Sequence, residues 1–127
     1  SKETLPLVNR DFYIVDSFGD AGEVFKKINL VFLGGSIIPH GGQNPLEPAR
    51  EGCYLLHGPN IYNFTEIFEF LTKNNVSKLV TSEITLTQEL ISNFKNFRNN
   101  DKVKAIMEEH SQKILLDHIN YLNSFIK

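Results

Sequence analysis

A layered α/β fold with a parallel sheet is what this sequence predicts, on three observations. Four short apolar or β-branched runs recur, at residues 12–15, Leu30–Leu33, Tyr54–His57 and residues 78–81. Each is flanked by Gly, Asp or Ser, the pattern of strands buried on both faces. Between them lie segments whose apolar residues repeat at helical spacing, so strand, helix and strand alternate as right-handed crossovers require.

The first run, Phe12-Tyr13-Ile14-Val15, ends at Asp16, and a turn through Ser17, Gly19 and Asp20 leads into a helix over residues 21–28. The second run ends at Leu33, after which four glycines fall between positions 34 and 42. Asn44-Pro45 then opens a helix over residues 45–51, with Asn as N-cap and Pro at the first helical position. After the third run comes Gly58-Pro59, and then a helix over Thr65–Lys73 with one stripe made by Phe64, Ile67, Phe68 and Leu71. Two helices follow the fourth run. Leu86, Leu90, Ile91 and Phe94 face one way in the first. Val103, Ile106, Met107, Ile114, Leu115, Ile119 and Leu122 form a longer stripe in the second. The polar cluster Arg98-Asn99-Asn100-Asp101 separates them. Four strands are few for a doubly wound sheet. The sequence therefore reads as part of one such domain, residues 1–127, with the first strands lying outside it.

Composition narrows the function classes. With 41% apolar and 22% charged residues among 127, the chain can form a packed core. A net charge of -2 gives no electrostatic case for nucleic acid. No run approaches the length of a membrane span, and no signal peptide is expected. The single cysteine, Cys53, opens an apolar run and reads as a buried structural thiol in a reducing compartment. No His, Cys or Asp cluster has metal-ligand spacing. Neither a metal nor a cofactor is expected.

The chemistry-bearing segment is Leu33-Gly34-Gly35-Ser36-Ile37-Ile38-Pro39-His40-Gly41-Gly42-Gln43-Asn44-Pro45-Leu46-Glu47-Pro48-Ala49. It leaves the carboxyl end of a parallel strand, where ligands of open α/β sheets bind. Glycines permit positive φ and close approach of a ligand, and a helix start offers free N–H groups to an anion. Every residue also has a plainer reading. The glycines make tight turns, Glu47 completes a capping box with Asn44, Ser36 caps a turn locally, and His40 is an exposed loop histidine. From the residues alone, the segment is an anion or nucleotide site.

The run from Gly34 to Ala49 resembles the signature of bacterial 3-deoxy-D-manno-octulosonic acid (Kdo) transferases, with Gln43 where the family commonly has His. Gly58-Pro59-Asn60-Ile61-Tyr62-Asn63-Phe64 resembles the family's Gly-Pro-x-x-x-Asn-Phe element. Val15-Asp16-Ser17-Phe18-Gly19-Asp20 resembles its Asp-Thr-x-Gly-Glu turn, with Ser17 and Asp20 as departures. These elements span roughly residues 12–70 in family order. The resemblance implies a GT-B glycosyltransferase, in which two Rossmann-like domains face each other. The chain would be part of the C-terminal domain, a three-layer parallel sheet that holds CMP-Kdo. The acceptor, a lipid A precursor, and the catalytic carboxylate belong to an N-terminal domain outside this sequence, and so does attachment to the cytoplasmic face of the bacterial inner membrane.

The resemblance implies a donor site of Gly34, Gly35, Ser36, His40, Gly41, Gly42, Asn44 and Glu47, with Glu47 on the ribose hydroxyls. It assigns no catalytic residue to this chain. Ser17, Gly19, Asp20 and Asn63, and Glu66 beside them, are weaker donor-site candidates; Asn63 also reads as the N-cap of the helix over Thr65–Lys73. The terminal helix is expected to help bridge the two domains. Two other readings stand beside this one: a different nucleotide-sugar glycosyltransferase, and a non-catalytic interaction domain.

Overall fold

The computed structural model describes residue 19, residues 21–95 and residues 100–126. The strand expected over residues 12–15 lies outside these, as do Asp16, Ser17 and Asp20. The described elements are α1 (Ala21–Phe25), β1 (Leu30–Leu33), α2 (Leu46–Arg50), β2 (Tyr54–His57), α3 (Thr65–Lys73), β3 (Ser77–Leu79), α4 (Glu83–Lys95) and α5 (Asn100–Asn123). The strands form one sheet in the order β1-β2-β3. Both pairings are parallel, with Leu30 to Leu33 beside Tyr54 to His57, and Leu55 to His57 beside Ser77 to Leu79.

Side chains alternate across a strand, so each strand feeds two cores. On one face Leu33 and Leu55 join Ala49 of α2, Phe68 and Leu71 of α3, and Val103 and Met107 of α5. On the other, Tyr54, Leu56 and Val80 meet Leu30, Phe32, Leu86 and Leu90, the last two from α4. The result is the three-layer α/β arrangement that the alternating pattern predicts. β2 is central and all four of its residues are buried. Truncating Leu55 or Leu56 to Ala in such a setting costs about 2–5 kcal/mol.

Several boundaries differ from the sequence reading, each for a local reason. α1 ends at Phe25 rather than Ile28. Instead, the Cys53 thiol donates to the Phe25 and Ile28 carbonyls at 3.3 and 3.4 Å. Burial, with Glu51 nearby, pushes that thiol up to about 11, so it stays protonated and structural, not nucleophilic. The fourth strand starts at Ser77, not Lys78, because Asn75 takes a positive φ of 58° and ends α3 promptly. It stops short of Thr81, because the N–H groups of Thr81 and Ser82 are drawn to Thr85 Oγ1 at the start of α4. Asn63 does not cap α3. Phe64 occupies that position with no side-chain hydrogen bond.

The terminal stripes are only partly used. Leu86 and Leu90 pack, but Ile91 is half exposed and Phe94 is 82% exposed. In α5 only Val103 and Met107 are buried, while Ile114, Leu115, Ile119 and Leu122 face outward. A helix of 24 residues extends about 36 Å, beyond what a three-stranded sheet covers. No helix among the described residues is long and apolar enough to cross a membrane.

His57 closes β2 and is 3% exposed. Its ring lies 4.4 Å from that of Phe68. Nδ1 donates to the Gly58 carbonyl at 2.8 Å in the neutral tautomer, and Nε2 has no hydrogen-bond partner. Burial holds the imidazole below its ordinary range, with the Gly58 bond a smaller opposing influence. The unfolded chain therefore takes up this proton first as pH falls. The His57 contribution to stability is complete above the ordinary histidine value of about 6.5 and declines below it, with a slope limited to about 1.4 kcal/mol per pH unit. Urea unfolding between pH 7.5 and 5 should show this decline, and His57→Leu should flatten it. A slope equally steep in the variant refutes the assignment.

Candidate functional site at the carboxyl edge of the sheet

β1 and β2 end side by side, and each runs into a loop at the same edge of the sheet. Residues 34–45 lead from β1 to α2, and residues 58–64 lead from β2 to α3. The first loop carries the predicted site residues. Ser36 is fully buried. Its hydroxyl donates to the Leu33 carbonyl at 2.6 Å and accepts the Gly58 N–H at 2.8 Å. The side chain thus links the two loops and is not presented to a ligand, which is the local-cap reading extended to a second loop.

The glycines divide into two kinds. Gly41 has φ of +96°, and a Cβ there would collide with the Asn63 amide. Gly42 is likewise buried, against the backbone of Asn60 and Ile61, and its N–H closes the loop on the Gly35 carbonyl at 3.0 Å. Gly35 lies beneath the His40 ring, whose Cδ2 would sit 2.8 Å from an added Cβ. These three serve internal close approach. Gly34 differs: it is exposed, and a Cβ there would meet nothing within 4 Å. Of the four, Gly34 is the one whose missing side chain leaves open space that a ligand can occupy.

Asn44 is not the N-cap of α2: Pro45 holds that position with no side-chain cap hydrogen bond, and Asn44, one residue further back, accepts the Leu46 N–H on Oδ1 at 3.0 Å. The donor capacity of this helix start is small. Pro45 and Pro48 have no N–H, Leu46 is already satisfied, and Glu47 N–H alone has no acceptor among the described residues. A five-residue helix also has a short dipole. The feature read from sequence as an anion-binding helix start therefore offers one amide. Glu47 itself is exposed, and no hydrogen bond to its carboxylate is found among the described residues, so the capping box is not formed. Oε1 lies 3.1 Å from where a Gly22 Cβ would be, which puts the carboxylate beside the start of α1.

Gly19 is exposed with φ of +90°. His40 is exposed, with its N–H on the Ile38 carbonyl at 2.7 Å. Asn63 packs on Gly41, and its N–H reaches the Gly41 carbonyl at 3.3 Å. Glu66 lies elsewhere, in a groove of about 610 Å³ between α2, α3 and α5 that Arg50 and His110 also line. Sequence reasoning missed Asn60 and Tyr62, whose side chains hold the first loop; the Gly58-Pro59 break that precedes them was the available signal. The exposed edge thus carries a carboxylate, an imidazole, an amide and an open glycine. It can hydrogen-bond hydroxyl groups and admit an anion. Among the described residues no group of three or more His, Cys, Asp or Glu is placed to hold a metal ion.

A parallel sheet with helices on both faces and polar loops at its carboxyl edge is the Rossmann-like arrangement that the C-terminal domains of GT-B glycosyltransferases share with other doubly wound folds. The C-terminal CMP-Kdo binding domain of WaaA from Acinetobacter baumannii has this fold. The two superpose with a TM-score of 0.65 at 22% identity, over 75% of this chain and 50% of that one. By sequence the chain is similar to the bacterial 3-deoxy-D-manno-octulosonic acid transferases. It is 33% identical to that of Rickettsia typhi over 132 aligned positions, which cover 99% of this chain. It is 36% identical to that of Haemophilus influenzae over 73 positions, 58% of the chain. The chain spans 28% of the Rickettsia typhi protein's length. No family model matches it.

The two kinds of glycine should separate on substitution. Gly41→Ala should lower stability by about 1–3 kcal/mol or more, from strained backbone and the Asn63 collision. Gly34→Ala should lower it by less than about 0.5 kcal/mol. Urea unfolding of both variants checks this, and equal losses would contradict the division.

Proposed function

We propose that this chain holds the nucleotide end of CMP-Kdo for a Kdo transferase that acts on a lipid A precursor. The observation that carries the reading is Glu47: exposed at the carboxyl edge, free of the capping bond, and at the start of the helix that follows the glycine loop. A carboxylate accepts two hydrogen bonds from a vicinal diol, which suits the ribose hydroxyls of cytidine monophosphate. Gly34 leaves room for the donor beside the loop. His40 and Asn44 supply the polar groups for its phosphate or its Kdo carboxylate.

In the reaction so proposed, an acceptor hydroxyl displaces CMP at the anomeric carbon of Kdo. A general base removes the hydroxyl proton, and negative charge grows on the departing CMP. This chain supplies contacts to CMP. The base, the lipid acceptor and attachment at the cytoplasmic face of the inner membrane belong to the remainder of an enzyme about the length of its relatives.

Two measurements test the proposal. In an amide chemical-shift titration, CMP should move residues in the segment 34–47 and UMP should move them less; no response to CMP sinks the reading. In a full-length enzyme, Glu47→Ala should raise donor KM or lower kcat/KM about 10–100-fold, the range for a hydrogen bond to a charged group. A loss of helix stability with donor kinetics intact would restore the capping role. The 127-residue chain alone should transfer no Kdo; turnover by the purified chain contradicts the division of labour.

A further inference from the structure

Beyond the strands, hydrogen bonds continue to tie the two loops to each other. In the sheet, Leu33 sits beside His57. Further on, Ser36 Oγ accepts from Gly58 N at 2.8 Å, and the Asn60 N–H donates to the Ser36 carbonyl at 2.8 Å. Asn60 Nδ2 donates to the Ile37 carbonyl at 2.9 Å, and Tyr62 Oη to the Pro39 carbonyl at 3.3 Å. The Asn63 N–H reaches the Gly41 carbonyl at 3.3 Å. Position by position, the second loop thus follows the first from residue 36 to residue 41. Inside the first loop the backbone bonds are sparse: His40 N to the Ile38 carbonyl and Gly42 N to the Gly35 carbonyl. A segment that holds itself with so little takes its shape from its neighbour.

We infer that residues 58–63 are the template that sets the conformation of the glycine loop, and that Asn60 and Tyr62 are positioning residues for the donor site. This rests on the donor-site reading above. Neither side chain belongs to a buried cluster, and Tyr62 is 63% exposed, so removing their polar groups leaves both cores intact. Each holds a carbonyl that flanks the Ile37-to-Pro39 stretch, directly ahead of His40. Loss of both bonds releases that stretch, and with it the Gly42 N–H that closes on Gly35, while Ser36 still anchors its start.

The test is the Asn60→Ala, Tyr62→Phe double variant of the 127-residue chain, compared with the parent by thermal unfolding, amide hydrogen exchange and CMP titration. The expected result is a Tm within about 2 °C of the parent, as for surface substitutions. Exchange at His40 and Gly42 should be at least about tenfold faster, reflecting local opening. The CMP dissociation constant should rise about fivefold or more, since binding must then reorder the loop. Unchanged exchange at His40 and Gly42 overturns the inference. So does parental CMP affinity in a variant whose loop exchanges faster. If the parent itself gives no CMP response, the donor-site reading fails instead. Exchange then decides alone: faster loop exchange with an intact fold sustains the template, and parental exchange overturns it.

Discussion

Gly58 lies against the Ser36 carbonyl so closely that an added Cβ would overlap it, and Ser36 in turn holds both the Leu33 carbonyl and the Gly58 N–H. This contact sits where two adjacent parallel strands end and their chains would otherwise part. It keeps the loops together past the sheet, and the burial of Gly41 and Gly42 against Asn60 to Asn63 continues the same approach. The polar edge of the molecule depends on it. Without side chains at these glycines, two backbones come within hydrogen-bonding reach, and the groups left on the outside are Gly34, His40, Asn44 and Glu47.

The cores below explain why that edge is held firmly. β2 is covered on both faces, with Leu55 and Leu56 fully buried on opposite sides. Burying one such side chain is worth about 1.5–3 kcal/mol. Anchoring the second loop directly to this strand gives it a stable base, and His57 adds a neutral ring packed on Phe68 at that junction. α2 is short, and its start is nearly empty of donors because Pro45 at its N-cap and Pro48 within it have no N–H. The site is therefore better described as a pair of loops with one exposed carboxylate than as a helix start that attracts phosphate.

Much of the fold was legible because its causes are local. Tyr54 to His57 could hardly be other than a buried strand, and β1 and α3 follow from apolar spacing and flanking turn residues. Boundaries were misjudged where a distant group captured the backbone. The Cys53 thiol takes the carbonyls of Phe25, the last residue of α1, and of Ile28 beyond it, and Thr85 takes the N–H groups after β3. The stripe on α5 was read correctly as a stripe, but sequence spacing says nothing about how far along a helix the sheet extends. At the candidate site, a local role for Asn44 at the start of α2 was legible because the N–H it holds lies two residues away. Ser36 was not, because the partner that buries it is 22 residues distant.

The order of residues by itself determined the layered α/β class, the position of the glycine loop after β1 and the presence of a helix directly after that loop. Each follows from contacts within a few residues or from the period of apolar side chains. Only the tertiary structure decided which glycines serve packing and which leaves open space, because that depends on the neighbouring loop. It also decided that Glu47 stands clear of its own helix cap, since a carboxylate three residues from a cap can turn either way until the surrounding chain is in place.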